Sequence, residues 1–304
     1  MKLRIFGLIL VLAFAAGPAF SNYTETRQGA KSNAVPKPIP GFKAADYAPA
    51  IDGFVVETRD LAPLHPGRGL ILWMKNVTKT EMTEYDSCPT WFTGSNYSGL
   101  IYASLLDVKN HQVLQTLFFD MTNQEGNSLP FRITPGLYSV YGNPNALGEK
   151  ATILLEPDQI DGDPTCEEYA FFEDPGGCFC PVAFPFGYDS AADKLFRFKE
   201  VEYQEGEGAG KRWSTEWMTD LFFKIDQDPG GKRYDFSSSV GHGSEVFTLH
   251  RYEYDRKLRT FYGVSVEVPD DEEHNNLYFN KSKLSPAAQL LLDKWWKNIN
   301  PQPK

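Results

Sequence analysis

The stretch that decides the fold class is Gly69-Leu-Ile-Leu-Trp-Met-Lys-Asn-Val77. Read at period two, Leu70, Leu72 and Met74 fall on one side and Ile71 and Trp73 on the other. An apolar run this short, with both sides apolar, reads as a strand covered on both faces. Its neighbours continue the pattern. Residues 51–59 (IDGFVVETR) alternate in part. Residues 97–121 (YSGLIYASLLDVKNHQVLQTLFFDM) read as a hairpin, with Lys109-Asn110 in a turn between Asp107 and His111. Residues 129–142 and 151–157 add further short strands. The expectation for 51–155 is a β-sandwich-like domain.

From 156 to 284 the strand rhythm continues with a different composition, in which acidic and glycine-rich turns separate aromatic runs. The expected strands are 167–172 (EEYAFF), 194–203 (KLFRFKEVEY), 217–225 (WMTDLFFKI), 232–238 (KRYDFSS), 245–255 (EVFTLHRYEYD) and 259–268 (RTFYGVSVEV). The change near Glu156-Pro157 divides the chain into two β regions, and one continuous β domain is the alternative. The clearest helix is 285–298 (SPAAQLLLDKWWKN). Ser285 can cap it and Pro286 suits its first turn. Ala288, Leu291, Leu292, Trp295 and Trp296 share one face, which reads as a helix docked on a sheet. The fold class is therefore all-β: two packed antiparallel regions, sandwich-like, plus one C-terminal helix.

The first residues read as an export signal, 1–21. Lys2 and Arg4 precede an unbroken apolar run from Ile5 to Ala16, and small residues follow. The cut falls after Ser21, with Gly17 as the rival. Residues 22–50, with Pro36, Pro38, Pro40 and Pro49, read as an extended N-terminal segment that Phe42 and Tyr47 can tack to the first domain. No later run is long enough for a membrane-spanning helix. The protein is expected to be periplasmic or extracellular.

The chain of 304 residues has 30 Lys plus Arg and 40 Asp plus Glu, a formal net charge of −10. This acidity repels phosphate backbones and excludes nucleic acid as a general partner. The 22 Phe, 15 Tyr and 6 Trp fall mostly in expected strands, so they read first as core. An even cysteine count in an exported chain suggests disulfides among Cys88, Cys166, Cys178 and Cys180, with three pairings open.

Candidate sites fall in three places. Trp91, Phe92 and Tyr97, beside Cys88, offer an aromatic recognition loop for a protein or glycan; the bland reading folds them over the first sandwich. His242, in Val-Gly-His-Gly-Ser, with Ser244, Glu245 and His250, is the one catalytic candidate, a base beside a hydroxyl or carboxylate. On a strand, His250 and Tyr252 share one face and Arg251 and Glu253 the other. The third place is a pair of acidic turns, 158–168 and 226–235, each just before an aromatic strand. Short-spaced carboxylates around glycine suit the oxygen-rich shell of calcium, although Asp, Gly and Pro are also ordinary turn residues.

These two turns resemble the acidic calcium-binding turns of FG-GAP/VCBS-like repeats. The resemblance covers two segments of about twelve residues. It implies Asp161, Asp163 and Glu168 as ligands in the first turn and Asp226, Asp228 and Asp235 in the second. Pro164, Cys166 and Pro229 depart from the pattern.

The reading favours an exported, non-enzymatic binding or structural protein of the cell surface or periplasm, with calcium as the candidate stabiliser. The alternative is an exported hydrolase acting around His242 and His250. Binding predicts a shallow surface on which no histidine meets a nucleophile. Hydrolysis predicts a deep cleft in which His242 or His250 contacts a serine or a carboxylate.

Overall fold

The structure, a computed structural model, describes residues 37–62, 64–82, 94–121, 129–134, 154, 160–173, 182–205, 211–218, 220–228, 230–239, 246–269 and 284–299. The chain is predominantly β with a C-terminal helix, as its sequence implies. Its described strands form three sheets.

The first sheet holds β1 (Phe54–Asp60), β2 (Arg68–Met82), β3 (Gly94–Asp107) and β4 (Gln112–Phe119) in sequence order, with β5 (Phe131–Ile133) also on β3. The second is the meander β6 (Cys166–Glu173), β7 (Val182–Asp189) and β8 (Lys194–Arg197). The third runs β10-β9-β13-β12-β11, built from β9 (Lys199–Glu205), β10 (Lys211–Thr215), β11 (Arg233–Ser239), β12 (Val246–Asp255) and β13 (Thr260–Pro269). Pairing is antiparallel except between β13 and β9, which is parallel.

The sheets stack through shared side chains. On β2, Leu70, Leu72 and Met74 enter one core, and Ile71 and Trp73 enter another. The outer core is closed by the N-terminal segment: Ile39, Tyr47 and Ile51 are buried there and Phe42 stacks on Tyr47. The 3₁₀ turn Ala44–Tyr47 carries that tyrosine. The second sheet is covered on both sides. Tyr169, Phe171, Phe184 and Phe186 face the first sheet, while Ala170, Phe172 and Ala183 face the third. The division near residue 156 thus passes between β5 and β6, whose side chains share a core.

One expected strand is a helix. Asp220–Gln227 forms α1, which overlaps the 217–225 run over residues 220–225. Leu221, Phe222 and Ile225 bury against Tyr234, Tyr252 and Phe261 of the third sheet. That spacing follows a helical face, and the neighbouring β-rich composition masks it. The C-terminal helix α2 spans Pro286–Ile299. Its Ser285 hydroxyl accepts a hydrogen bond from the Ala288 amide at 3.2 Å, and Ala288, Leu292, Trp295 and Trp296 pack on Leu249, Val264 and Val266. Between helix and sheet lies Arg251, 1% exposed, which donates to Asp235 and Asp293. Among the described residues no helix is long and apolar enough to cross a membrane.

With α2 on one face of the third sheet, and α1 with the second sheet on part of the other, a polar region remains at the far end of that second face. The candidate site lies there.

Candidate active site

Register assembles the site. In β12, His250 stands opposite Phe236 of β11 and Ser265 of β13. Tyr252 stands opposite Gly263 of β13, which is itself paired with Glu202 of β9. Strand alternation then puts Ser238, His250, Tyr252, Ser265, Glu202 and Glu200 on one face. His250 and Tyr252 share that face, as their spacing implies.

Gly263 makes the long reach across the sheet possible. A Cβ added there would lie 2.2 Å from Cε1 of Tyr252. The tyrosine ring therefore lies over the β13 backbone, and its hydroxyl reaches β9 two strands away. The Tyr252 oxygen is 2.6 Å from Oε1 of Glu200 and 2.7 Å from Oε1 of Glu202.

His250 crosses β13 in the same way. Its Nδ1 lies 2.9 Å from Oε1 of Glu202 and its Nε2 lies 2.8 Å from the Ser238 hydroxyl. An ionised carboxylate only accepts, so Nδ1 carries the proton toward Glu202. Nε2 of the neutral ring is then the acceptor for the Ser238 O–H. Phe236 stacks on the imidazole, with centroids 4.8 Å apart and planes at 18°, which limits its rotation.

The electrostatics sustain these roles. Burial opposes the Glu202 charge, but hydrogen bonds from His250, Tyr252 and Ser265 outweigh it and hold this carboxyl below its ordinary range. Burial also opposes an imidazolium at His250. The hydrogen bond to Glu202 and the Glu202 charge outweigh that, with Asp220 and Glu200 adding to them, so the pKa rises above 6.5. Glu200 is pushed up to about 7, chiefly by burial and then, against the Tyr252 hydrogen bond, by the Glu202 charge. Near neutral pH, Glu200 is poised to hold a proton that Glu202 has lost. The face thus carries a serine, a histidine basic at Nε2, an orienting carboxylate with three donors, and a second acid joined through Tyr252.

Of the expected catalytic residues, only His250 lies in this arrangement. His242, Ser244 and Glu245 fall outside the described residues. Ser238 and Glu202 were not foreseen. The one signal for Ser238 was alternation along Tyr234, Phe236 and Ser238; nothing local pointed to Glu202. The contacts of His250 are with a serine and a carboxylate. They lie on a sheet face rather than in a deep cleft. In the third sheet β11 is an outer strand, so amides on its outer edge have no sheet partner among the described strands. No family model, curated protein or solved structure matches the chain.

The acidic turns meet, and most of their described carboxylates are hydrogen-bonded to protein groups. A Cβ added at Gly162 would touch the Gly230 Cα at 3.6 Å. Arg256 reaches the first turn, donating to the carbonyls of Asp161 and Gly162. Asp161 accepts from the Asp163 amide and the Tyr254 hydroxyl. Asp163 accepts from the amide and hydroxyl of Thr165. Glu168 accepts from the amides of Ile160 and Asp161. In the second turn, Asp235 accepts from Arg233 and Arg251, Asp228 is exposed just after α1, and Asp226 lies within α1. Among the described residues no group of three His, Cys, Asp or Glu side chains is placed to hold a metal ion.

Glu168 supplies a pH prediction. Burial, then the Asp161 charge and a shared hydrogen bond with that side chain, push its carboxyl up to about 9. The folded state holds a proton that the unfolded state releases above about 4.5. Glu168 therefore contributes most below that pH, and the contribution is lost as pH rises through about 9. Thermal melts across this range are expected to show Glu168→Gln with a flatter pH dependence than the parent. Added calcium is expected to leave the parent melting temperature unchanged; a saturable rise would restore the ion.

The other expected residues are placed as follows. Trp91 and Phe92 lie outside the described residues. Tyr97 is in β3, stacked on Phe54 with centroids 5.1 Å apart and packed against the first core. Cys166 carries a free thiol rather than a bridge. It is buried at the start of β6, and burial followed by the charges of Asp163 and Asp161 pushes its pKa up to about 12, so it stays protonated. Cys88, Cys178 and Cys180 lie outside the described residues.

Proposed function

We propose that this chain is an exported serine hydrolase of uncharged acyl esters. The observation that carries the reading is the position of His250, bonded through one ring nitrogen to Ser238 and through the other to Glu202. Export rests on the basic start and the apolar run from Ile5 to Ala16.

In this reading the Ser238 O–H proton passes to Nε2 of His250 as Oγ bonds to the ester carbonyl carbon. Glu202 stabilises the imidazolium so formed and does not itself take the proton. The imidazolium then protonates the leaving alcohol, and the carbon–oxygen bond to it breaks. Water, deprotonated by His250, attacks the acyl-serine, releasing the carboxylic acid and restoring Ser238. Outer amides of β11 are the available donors for the developing oxyanion. The carboxylates of Glu202 and Asp220 around the site disfavour a carboxylate-bearing ester, which leads to the choice of an uncharged one.

Turnover of p-nitrophenyl acetate by purified mature protein tests this. Ser238→Ala is expected to lower kcat by at least about 10³-fold while the protein keeps its circular dichroism and melting temperature. Equal turnover in parent and variant, or no turnover above a heat-unfolded control, counts against the proposal.

A further inference from the structure

A second feature lies away from Ser238, where the third sheet meets the edges of the other two. A cleft of 320 Å³ opens there, lined by Arg197, Lys199, Ser214, Thr215, Glu216 and Trp217 among others. The backbone that carries its aromatic wall is held at two points. The Trp217 amide donates to the Thr215 hydroxyl at 3.2 Å, and the next residue, Met218, exchanges two backbone hydrogen bonds with Ala183 of β7. Trp217 is anchored on both sides and yet remains 38% exposed. Trp213, on β10 four residues earlier, is 53% exposed.

The charges of the cleft compensate one another. Arg197 pairs with Glu216, donates to the Phe118 carbonyl and lies 4.8 Å from the Phe119 ring centroid. Lys199 Nζ is 3.8 Å from Glu216, and Asp120 supplies a second acid. A strongly charged ligand gains little here, because each charge already has its opposite. An apolar ligand would strip water from hydroxyls and charged groups without replacing those bonds. A ring with one apolar face and a rim of hydroxyls fits both parts: it stacks on indole and exchanges hydrogen bonds with Ser214, Thr215, Lys199 and Glu216. The volume is at the small end of the roughly 300–1,000 Å³ typical of ligand sites.

We propose that this cleft binds a neutral carbohydrate, one or two sugar rings deep, with Trp217 as the stacking platform. The site does not depend on the hydrolase reading, since no residue is shared with it.

Isothermal titration calorimetry and saturation-transfer NMR with cellobiose, chitobiose and lactose test it on the full mature protein. At least one sugar is expected to bind saturably with a Kd near the millimolar range. Trp217→Ala and, separately, Thr215→Val are expected to weaken it about tenfold or more. Ser238→Ala is expected to bind as the parent does, and Trp217→Ala to retain ester turnover. No saturable binding by any of the three sugars, or binding unchanged in both cleft variants, overturns the proposal. Thr215→Val keeps the test decisive if the tryptophan variant fails to fold.

Discussion

Replacing Glu202 with glutamine is expected to lower kcat for ester turnover by about 10⁴-fold with little change in KM. That is the loss seen when the orienting carboxylate of a Ser-His-acid site becomes an amide. The cause is the tautomer. Glu202 accepts from Nδ1 of His250 and so leaves Nε2 free to accept from Ser238. A glutamine can turn its NH2 toward Nδ1, which moves the ring proton to Nε2, and the histidine then donates to Ser238 instead of taking its proton. The pH profile gives a second readout. In the parent, activity requires neutral His250, whose pKa lies above 6.5, so activity rises with pH through a value above that. Without the Glu202 charge, burial of the ring is opposed only by the charges of Asp220 and Glu200, so its pKa falls, and the residual activity limb is expected to move to lower pH. Kinetics from pH 5 to 9, with circular dichroism as the folding control, measure both effects. A limb that stays in place would show that Glu202 does not act on His250.

Gly263→Ala is expected to have the largest effect on stability of any single methyl added to the third sheet, about 2–3 kcal/mol, as the upper range for overpacking. The added Cβ would meet three atoms of the Tyr252 ring, the nearest at 2.2 Å. The ring belongs to the core of Tyr234, Phe261 and the α1 residues, so it cannot swing away without opening that core. Its hydroxyl would also leave Glu202 and Glu200, taking one donor from the orienting carboxylate. Reduced kcat is therefore expected alongside the stability loss. Tyr252→Phe separates the two, because it keeps the packing and removes only the hydroxyl. Urea unfolding together with kinetics on both variants checks this. Parent-like stability in Gly263→Ala would mean that Tyr252 does not lie over β13.

Much of the framework was legible because it depends on local period. Leu70 to Met74 announced two covered faces, and the outer one is closed by Tyr47. Ser285 announced the start of α2, whose buried face is the expected one. Segment 217–225 misled because an eight-residue helix offers barely two turns of periodicity, while its aromatic residues favour strand. The site was legible only at His250. Glu202 joins it through a parallel pairing of β13 with β9, and Ser238 through β11. Such registers bring together residues that carry no joint spacing in the chain. The acidic turns hid their partners for a related reason. Their carboxylates are visible in sequence, but Arg256, Arg251 and Tyr254, which engage them, arrive from other parts of the fold.

The central claim is that His250 activates Ser238. The most direct measurement is covalent labelling of the folded protein with a fluorophosphonate, read by intact mass and peptide mapping. One adduct on Ser238 is expected, forming at least about 10²-fold more slowly in His250→Ala. No adduct at Ser238, or labelling at the same rate without the histidine, would contradict the account.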